Sequence, residues 1–225
     1  MKTILTLVYV LIVFSLRAQQ IQDRPQTEFT KIDLGGAFEV EIKESSRHHV
    51  RIDADEELMP DIVTEVNGST LKVYIDRKRY DSKRKSSLVI EFVRLEEIEI
   101  SGAVDIISAG KIRADDFKLD FSGAGEAKLE LECSRLVVDI SGVGDIEIEG
   151  RANEQTIDIS GAGTYDAYDF DCDITNVETS GVGTAEVIAN KEIKASTSGV
   201  GSIRYRGNPG RVDISTSGIG SIKKG

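Results

Sequence analysis

Short segments in which apolar and polar residues alternate recur along most of the chain. Val138-Asp139-Ile140 and Asp145-Ile146-Glu147-Ile148 are examples, and an alternation with a period of two predicts β-strands. Between such segments the phrase Ser-Gly-x-Gly recurs, with Val104 in place of the last glycine in its first copy. The phrases begin at Ser101, Ser122, Ser141, Ser160, Ser180, Ser198 and Ser217.

The spacing of these serines predicts a solenoid. Successive steps are 21, 19, 19, 20, 18 and 19 residues, a period typical of stacked repeats and not of a single-core globule. The positions three before, one before and five after each serine share parity and are mostly apolar, so we expect them to line the interior. The predicted fold class is all-β, a parallel β-helix of about seven regular coils of ~19 residues.

Each phrase is predicted to lie at a bend. Glycine is required where the backbone takes a positive φ or where a Cβ would clash with the neighbouring coil. A glycine corner can also form an anion-binding nest, which is the functional alternative to a purely structural role. The middle residue of the phrase has the opposite parity to the core columns, and the pattern leaves open whether it points inward or outward.

The segment that precedes the regular coils is also β, but its spacing is irregular. Asn67-Gly68 predicts a hairpin between two strand-like runs. We expect residues 29–225 to form one domain, in which irregular coils at 29–97 are candidates to cap the regular coils at 98–225. Residues 19–28 show no periodicity and are predicted to be a flexible lead-in.

Residues 1–18 have the features of a signal peptide. Lys2 precedes an apolar run from Ile4 to Leu16, and the small residue Ala18 stands at the expected cleavage site. A buried apolar strand is the alternative interpretation. We therefore expect an exported protein, in the periplasm, at the cell surface or outside the cell. No later run approaches the ~20 apolar residues of a membrane helix, so no transmembrane segment is expected in the mature chain.

Composition and net charge limit the kinds of core and of binding partner that the chain can have. The chain is 40% hydrophobic but only 6% aromatic, with 21 Gly and no Trp, which fits a thin core of stacked β-branched side chains. Its net charge of −11 argues against a general nucleic-acid binder. The charge is uneven, since residues 91–190 carry −16 and residues 191–225 carry +5.

The two cysteines are predicted to stay unpaired. Cys133 and Cys172 occupy near-equivalent places two coils apart. Coils stacked at about 4.8 Å would place their Cα atoms roughly 9–10 Å apart, beyond the ~7 Å limit for a disulfide. We expect both to act as small buried hydrophobic residues.

A column of acidic residues lies two positions before the serines and should face outward. Like charges opposite one another on neighbouring strands repel, and a calcium ion bound by carboxylate oxygens would relieve that repulsion. The alternative is a solvated face that discourages lateral aggregation. The candidate metal ligands are Glu99, Asp120, Asp139, Asp158 and Glu178.

A second candidate site is a basic loop with one aromatic residue. It could contact an acidic polysaccharide or a lipid phosphate, or it could be a solvated hairpin tip. Its residues are Arg77, Lys78, Arg79, Tyr80, Lys83, Arg84 and Lys85.

Catalytic signals are weak. The only histidines, His48 and His49, are adjacent in a polar segment, which argues against a histidine-based triad or a multi-histidine metal site. Carboxylates are abundant and a pair could in principle hydrolyse a glycoside. We expect no catalytic residues and no cofactor other than weakly bound calcium.

Taken together, these features resemble a known family. The motifs that carry the resemblance are Gly35-Gly36-Ala37-Phe38-Glu39-Val40, the segment from Asp55 to Leu71 and the serial Ser-Gly corners, over about residues 29–220. The chain resembles the autotransporter-adhesin head domains called GIN domains, a family of unknown function in exported Bacteroidetes proteins. The resemblance implies a right-handed, single-stranded parallel β-helix and an exported location, and it supplies no catalytic residues.

Three functions remain open at this point. The first is a non-enzymatic binding or adhesion module that presents repetitive solenoid faces to a polysaccharide or a cell-surface partner. The second is a carbohydrate-active β-helix enzyme, a lyase or glycosidase that uses surface carboxylates. The third is a purely structural envelope protein.

Overall fold

The computed structural model describes residues 19–76 and 86–225, and this part of the chain is almost entirely β-structure. One 3-10 turn at Met59–Asp61 interrupts it, and no α-helix occurs among the described residues. The strands are β1 Gln19–Pro25, β2 Lys31–Gly35, β3 Ala37–Glu44, β4 His49–Asp55, β5 Ile62–Asn67, β6 Thr70–Ile75, β7 Ser86–Phe92, β8 Glu97–Ile100, β9 Ala103–Phe121, β10 Ala124–Ile140, β11 Val143–Ile159, β12 Ala162–Thr179, β13 Val182–Ile188, β14 Glu192–Thr197, β15 Ser202–Arg206, β16 Arg211–Thr216 and β17 Ser221–Lys224.

The regular part is a parallel β-solenoid of about seven turns, as predicted. Strands β9 to β12 each cover a whole coil of 17–19 residues and are interrupted only at the Ser-Gly step. Each coil pairs in parallel with the next, so that Ala124 lies opposite Val143 and Ile140 lies opposite Ile159. From β13 onward each coil consists of two shorter strands, and the parallel pairing continues to β16 and β17.

The predicted interior columns form the core. Ile140 and Ile159, one residue before their serines, are almost completely buried, and so are Ile146 and Tyr165, five residues after theirs. The columns become exposed only in the last coil, where no described strand packs beyond β16 and Ile214 is 42% exposed. Stacking of equivalent side chains therefore builds one continuous core along the solenoid axis.

The glycines of the corners are required by the close approach of neighbouring coils. A Cβ on Gly123 would lie 2.0 Å from the carbonyl oxygen of Gly102, and one on Gly142 would lie 2.0 Å from that of Gly123. Real Cβ atoms do not approach backbone oxygen so closely. The same contact recurs at Gly161 and Gly181. The main role of the Ser-Gly phrase is therefore to let the backbones of neighbouring coils pack closely at the corner.

The N-terminal section closes one end of the solenoid. Strands β5 and β6 form the predicted hairpin, with Gly68 at a φ of 63° in its turn. Parallel strands β2 and β3 continue the regular stack, and β4 runs antiparallel to β7 at its edge. Leu58 and Met59 are buried in the core beside them. The irregular strands thus cover core side chains that the first regular coils would otherwise expose.

The expectation of a flexible lead-in at residues 19–28 is wrong for its first seven residues. Gln19–Pro25 forms β1, which pairs antiparallel with the whole of β4. Arg24 also anchors the strand, because its Nη1 donates a hydrogen bond of 2.7 Å to the carbonyl oxygen of Ile62. The side chains of β1 are mostly exposed, so main-chain pairing holds the strand and no apolar periodicity marks it.

Candidate functional site

The acidic column predicted from the sequence is present as a continuous outward ladder. Each member lies directly opposite the next on the neighbouring coil, and every one is exposed or half-buried. The successive pairs are Glu99 with Asp120, Asp120 with Asp139, Asp139 with Asp158, and Asp158 with Glu178.

The ladder begins one coil earlier than predicted. Asp33 on β2 lies opposite Glu99, and Lys72 on β6 lies opposite Asp33 and donates to its Oδ2 at 3.0 Å. A sequence signal could have revealed Asp33. Ile32-Asp33-Leu34, which precedes Gly35-Gly36, has the same pattern as Ile98-Glu99-Ile100, which precedes the first Ser-Gly phrase. A lysine thus closes the acidic column at its N-terminal end.

One lysine relieves the charge in the middle of the ladder. Lys118 Nζ lies 3.5 Å from Asp120 Oδ2, 3.6 Å from Asp139 Oδ2 and 3.9 Å from Glu97 Oε1. Burial lowers the pKa of Lys118, whereas the three carboxylates raise it, and the net shift of the pKa is upward. Farther along, partial burial and then repulsion from Glu178 and Asp139 raise the pKa of Asp158. The end of the ladder near Asp158 is therefore its least compensated part.

The ladder does not gather its carboxylates around one point. Within residues 19–76 and 86–225, no group of three or more His, Cys, Asp or Glu side chains is arranged to hold a metal ion. The residues are spread along a column instead, at about one carboxylate per coil. Calcium binding by Glu99, Asp120, Asp139, Asp158 and Glu178 stays a prediction.

The middle residues of the glycine corners point outward, which answers the question that parity left open. Val143 is 62% exposed, Val182 61%, Val200 54% and Ile219 86%. These side chains form an apolar ridge along the corner. Each coil whose Ser-Gly-x-Gly phrase has Val or Ile in the middle position contributes one side chain. The core does not use these side chains, so packing does not explain why they are large and apolar.

The polarity beside this ridge changes along the solenoid. In the first three corners the residue after the phrase is a carboxylate, at Asp105, Glu126 and Asp145. In the last four corners it is a hydroxyl residue. We define the neutral corner strip as the four segments 160–164, 180–184, 198–202 and 217–221, which contain only Ser, Thr, Gly, Ala, Val and Ile.

The neutral corner strip lines an open groove of about 540 Å³. Its lining residues are of three kinds: the glycines Gly163, Gly183 and Gly201, the apolar residues Val182, Val200 and Ile219, and the hydroxyl residues Thr164, Thr184, Ser202 and Ser221. Thr184 Oγ1 and Ser202 Oγ lie 3.3 Å apart. The groove therefore combines apolar contact area with hydrogen-bonding groups and carries no charge of its own.

The basic loop Arg77, Lys78, Arg79, Tyr80, Lys83, Arg84 and Lys85 lies outside the described residues, as does the predicted signal peptide at residues 1–18. Both stay predictions. No helix of the described residues is long and apolar enough to cross a membrane.

Both histidines take part in contacts within the cap. The ring of His48 packs edge-on against Phe29, with ring centroids 4.6 Å apart. His49 Nε2 lies 3.3 Å from Asp23 Oδ1 and so links β4 to β1. These side chains join elements of the fold.

A buried polar network crosses the interior of the solenoid. Tyr165 Oη donates to Gln155 Oε1 at 3.1 Å, and Gln155 Nε2 donates to Thr175 Oγ1 at 3.0 Å. Thr175 Oγ1 in turn donates to the carbonyl oxygen of Ile188 at 2.6 Å. Each of these buried polar groups therefore has a partner, as the low dielectric of the interior requires.

The cysteines lie two coils apart and are unpaired, as predicted. Cys133 is opposite Ala152, which is opposite Cys172, and both thiols are free. Cys172 is buried, whereas Cys133 is only partly buried against the core. Burial raises the pKa of Cys133 to about 12 and that of Cys172 to about 11. Both side chains thus stay protonated at neutral pH, where a thiol is a poor nucleophile and metal ligand.

The fold and these surfaces define an acidic β-solenoid whose outer faces carry columns of equivalent side chains. Proteins of this class use such extended surfaces for binding. The family model described as "Putative auto-transporter adhesin, head GIN domain" matches residues 28–209, and the chain belongs to that family. The resemblance drawn from the Ser-Gly corners is therefore confirmed.

Solved structures agree with this assignment. A putative adhesin from Bacteroides fragilis is 27% identical, with a TM-score of 0.89 over 92% of this chain and 97% of that one. A putative lipid binding protein from Parabacteroides distasonis is 20% identical, with a TM-score of 0.73 over 92% and 96%. A putative adhesin from Parabacteroides merdae is 22% identical, with a TM-score of 0.70 over the same shares. The last two likenesses concern the fold alone. No curated protein matches the chain.

Proposed function

We propose that this chain is an exported, non-enzymatic binding module that presents its solenoid faces to a polysaccharide or another cell-surface partner. The observation that carries the proposal is the strict register of the outward columns. Equivalent side chains from consecutive coils lie opposite one another, as in the acidic ladder and the corner ridge. A partner with its own repeat can make the same contact at coil after coil.

A rigid solenoid also lowers the cost of such binding. The coils are held by continuous main-chain pairing and by one shared core, so the contact residues are already ordered before the partner arrives. Ordering side chains and loops on association costs affinity, and a preorganised surface avoids much of that cost. The binding free energies of weak contacts, one at each coil, then add along the solenoid axis.

Two further points support export and the absence of catalysis. The family is described as an auto-transporter adhesin head, which agrees with the signal peptide expected at residues 1–18. The two histidines, which are the commonest general acid–base residues in enzymes, contact Phe29 and Asp23 within the cap.

The proposal is tested by presenting the chain from Gln19 onward to an array of bacterial and plant polysaccharides and to intact bacterial cells. We expect retention on at least one polysaccharide or cell surface, together with no reducing ends and no unsaturated products after prolonged incubation. Product release without retention would instead identify a carbohydrate-active enzyme. If the protein is not retained and no product is released, a structural envelope protein becomes the better explanation.

A further inference from the structure

The neutral corner strip is unusual in a chain of which 30% of the residues are charged. Four consecutive corners contribute five residues each without one charge, while the three corners before them all end in a carboxylate. Within the strip, Val182, Val200 and Ile219 expose more than half of their surface. A solvated corner would not require both apolar side chains and the absence of charge.

We propose that the neutral corner strip binds a neutral polysaccharide chain that lies along the solenoid axis. This inference rests on the proposed binding function and specifies its site and ligand class. A sugar ring presents apolar C–H faces and hydroxyl edges. The strip offers a matching pair of surfaces, since the ridge supplies apolar contact and the row of Thr164, Thr184, Ser202 and Ser221 supplies hydroxyls that both donate and accept.

Charge explains why the ligand is neutral. The strip runs from residues 91–190, which carry −16, into residues 191–225, which carry +5. Carboxylates stand beside the ridge in the first three corners, at the N-terminal end of the strip. A polyanion that extended along the corner beyond the strip would meet Asp145 and then Glu126. Like-charge contacts of this kind disfavour a partner strongly. A neutral chain meets no such barrier.

The size of the strip favours a narrow ligand over a second copy of this protein. Four coils at about 4.8 Å spacing give a ridge roughly 14 Å long and one side chain wide. Its apolar surface is a few hundred Å² at most, well below the roughly 800 Å² that each partner buries in a stable protein interface. A single polysaccharide chain needs no more than this.

The open shape of the groove argues against an acyl chain. Sites for lipid-sized ligands usually enclose most of the ligand surface, roughly 70–90% of it. Here the apolar side chains stand on a ridge with hydroxyl groups beside them, and the groove has no apolar roof among its lining residues. A hydrocarbon chain would therefore stay largely in contact with water.

The test is native affinity electrophoresis of the chain from Gln19 onward in gels that contain xyloglucan, galactomannan, dextran or polygalacturonate. We expect at least one neutral polysaccharide to retard the protein and polygalacturonate not to do so. Val200→Asp should weaken that retardation at least tenfold in apparent Kd, and Thr184→Val should weaken it several-fold. The matched control is Val93→Asp, which places the same charge on a comparably exposed apolar side chain away from the corner ridge and should change Kd less than twofold.

The outcomes separate the site from the general function. If a neutral polysaccharide retards Val200→Asp and Val93→Asp equally, the assignment to the strip is overturned and the binding function is kept. Retardation by polygalacturonate alone would overturn the neutral ligand. Binding only to phosphatidylcholine–phosphatidylglycerol vesicles would identify a lipid ligand and overturn the polysaccharide. If no polysaccharide, vesicle or cell surface retains the protein, both proposals fail. Equal melting temperatures of the variants would show that they are folded.

Discussion

Replacing one corner glycine by alanine should destabilise the whole solenoid. In Gly161→Ala the new Cβ would lie 2.0 Å from the carbonyl oxygen of Gly142 and 2.7 Å from two main-chain atoms of Ser141. The φ of Gly161 is not in the left-handed region, so the cost is steric and not conformational. Because every close atom belongs to the backbone, no side chain can move aside and the coils themselves must separate.

The magnitude follows from that geometry. Overpacking a well-packed interior costs about 1–3 kcal/mol, and the upper end is expected here because the clash is with main chain. For a domain of this size, about 3 kcal/mol lowers Tm by roughly 6–12 °C. The control is Gly210→Ala, whose Cβ would meet nothing closer than the carbonyl oxygen of Lys191 at 3.9 Å. It should change stability by less than about 0.5 kcal/mol.

The assay is thermal unfolding followed by circular dichroism in the β-sheet region, with chemical unfolding to obtain the free energy. A Gly161→Ala melt that superimposes on those of wild type and Gly210→Ala would refute the reasoning, because it would mean that neighbouring coils do not approach as closely at the corner as the structure shows.

Four further predictions concern stability and ligands. Tyr165→Phe should cost about 1–3 kcal/mol, because Gln155 Oε1 loses its buried donor; an unchanged unfolding free energy would mean that Gln155 finds another partner. Hydrogen bonds from Arg47 and then Lys43 lower the pKa of Glu91 to about 2, from an ordinary value near 4.5. The ionised Glu91 carboxylate therefore contributes fully to stability above pH 4.5, and this contribution is lost as the pH falls toward 2. The stability difference between wild type and Glu91→Gln should shrink over that range, and a difference that does not vary with pH would contradict this assignment. Millimolar calcium should raise Tm, with stabilisation of about 2.7 kcal/mol at a hundred times Kd, and less so in Asp139→Asn and Asp158→Asn; identical melts in calcium and EDTA at fixed ionic strength would leave the ladder a solvated face. Thiol titration of denatured, unreduced protein should find two free thiols, and finding none in a monomer would contradict the two-coil offset of Cys133 and Cys172.

The regular coils could be predicted from the sequence because their packing repeats in it. A glycine is needed wherever two coils touch at the corner, so the Ser-Gly phrase marks the register, and the interior columns and the ladder from Glu99 to Glu178 follow from it. The corner at Gly35-Gly36 was missed as a member of the series. Glycine replaces serine there, and strands β3 to β8 separate it in sequence from Gly102, with which it is in direct contact.

Other features leave no periodic signal. Strand β1 is held by main-chain pairing to β4, which any outward side chain permits. The orientation of the corner side chains depends on the Ser-Gly step itself, which is not part of a strand and therefore breaks the alternation from which parity is counted. The neutral corner strip was visible as a change from carboxylate to hydroxyl, but only the outward orientation makes that change a surface property.

The proposed binding face depends on corner side chains that point outward in register, one coil apart, and a disulfide scan tests this most directly. In a Cys133→Ala, Cys172→Ala background, Ala162→Cys/Val182→Cys places two thiols on adjacent coils, whereas Val143→Cys/Val182→Cys places them two coils apart. Adjacent coils hold Cα atoms about 4.8 Å apart, within the range that a disulfide spans. We predict rapid intramolecular oxidation of the first pair and none of the second. Oxidation of the second pair in preference to the first would contradict the register and the binding face built on it.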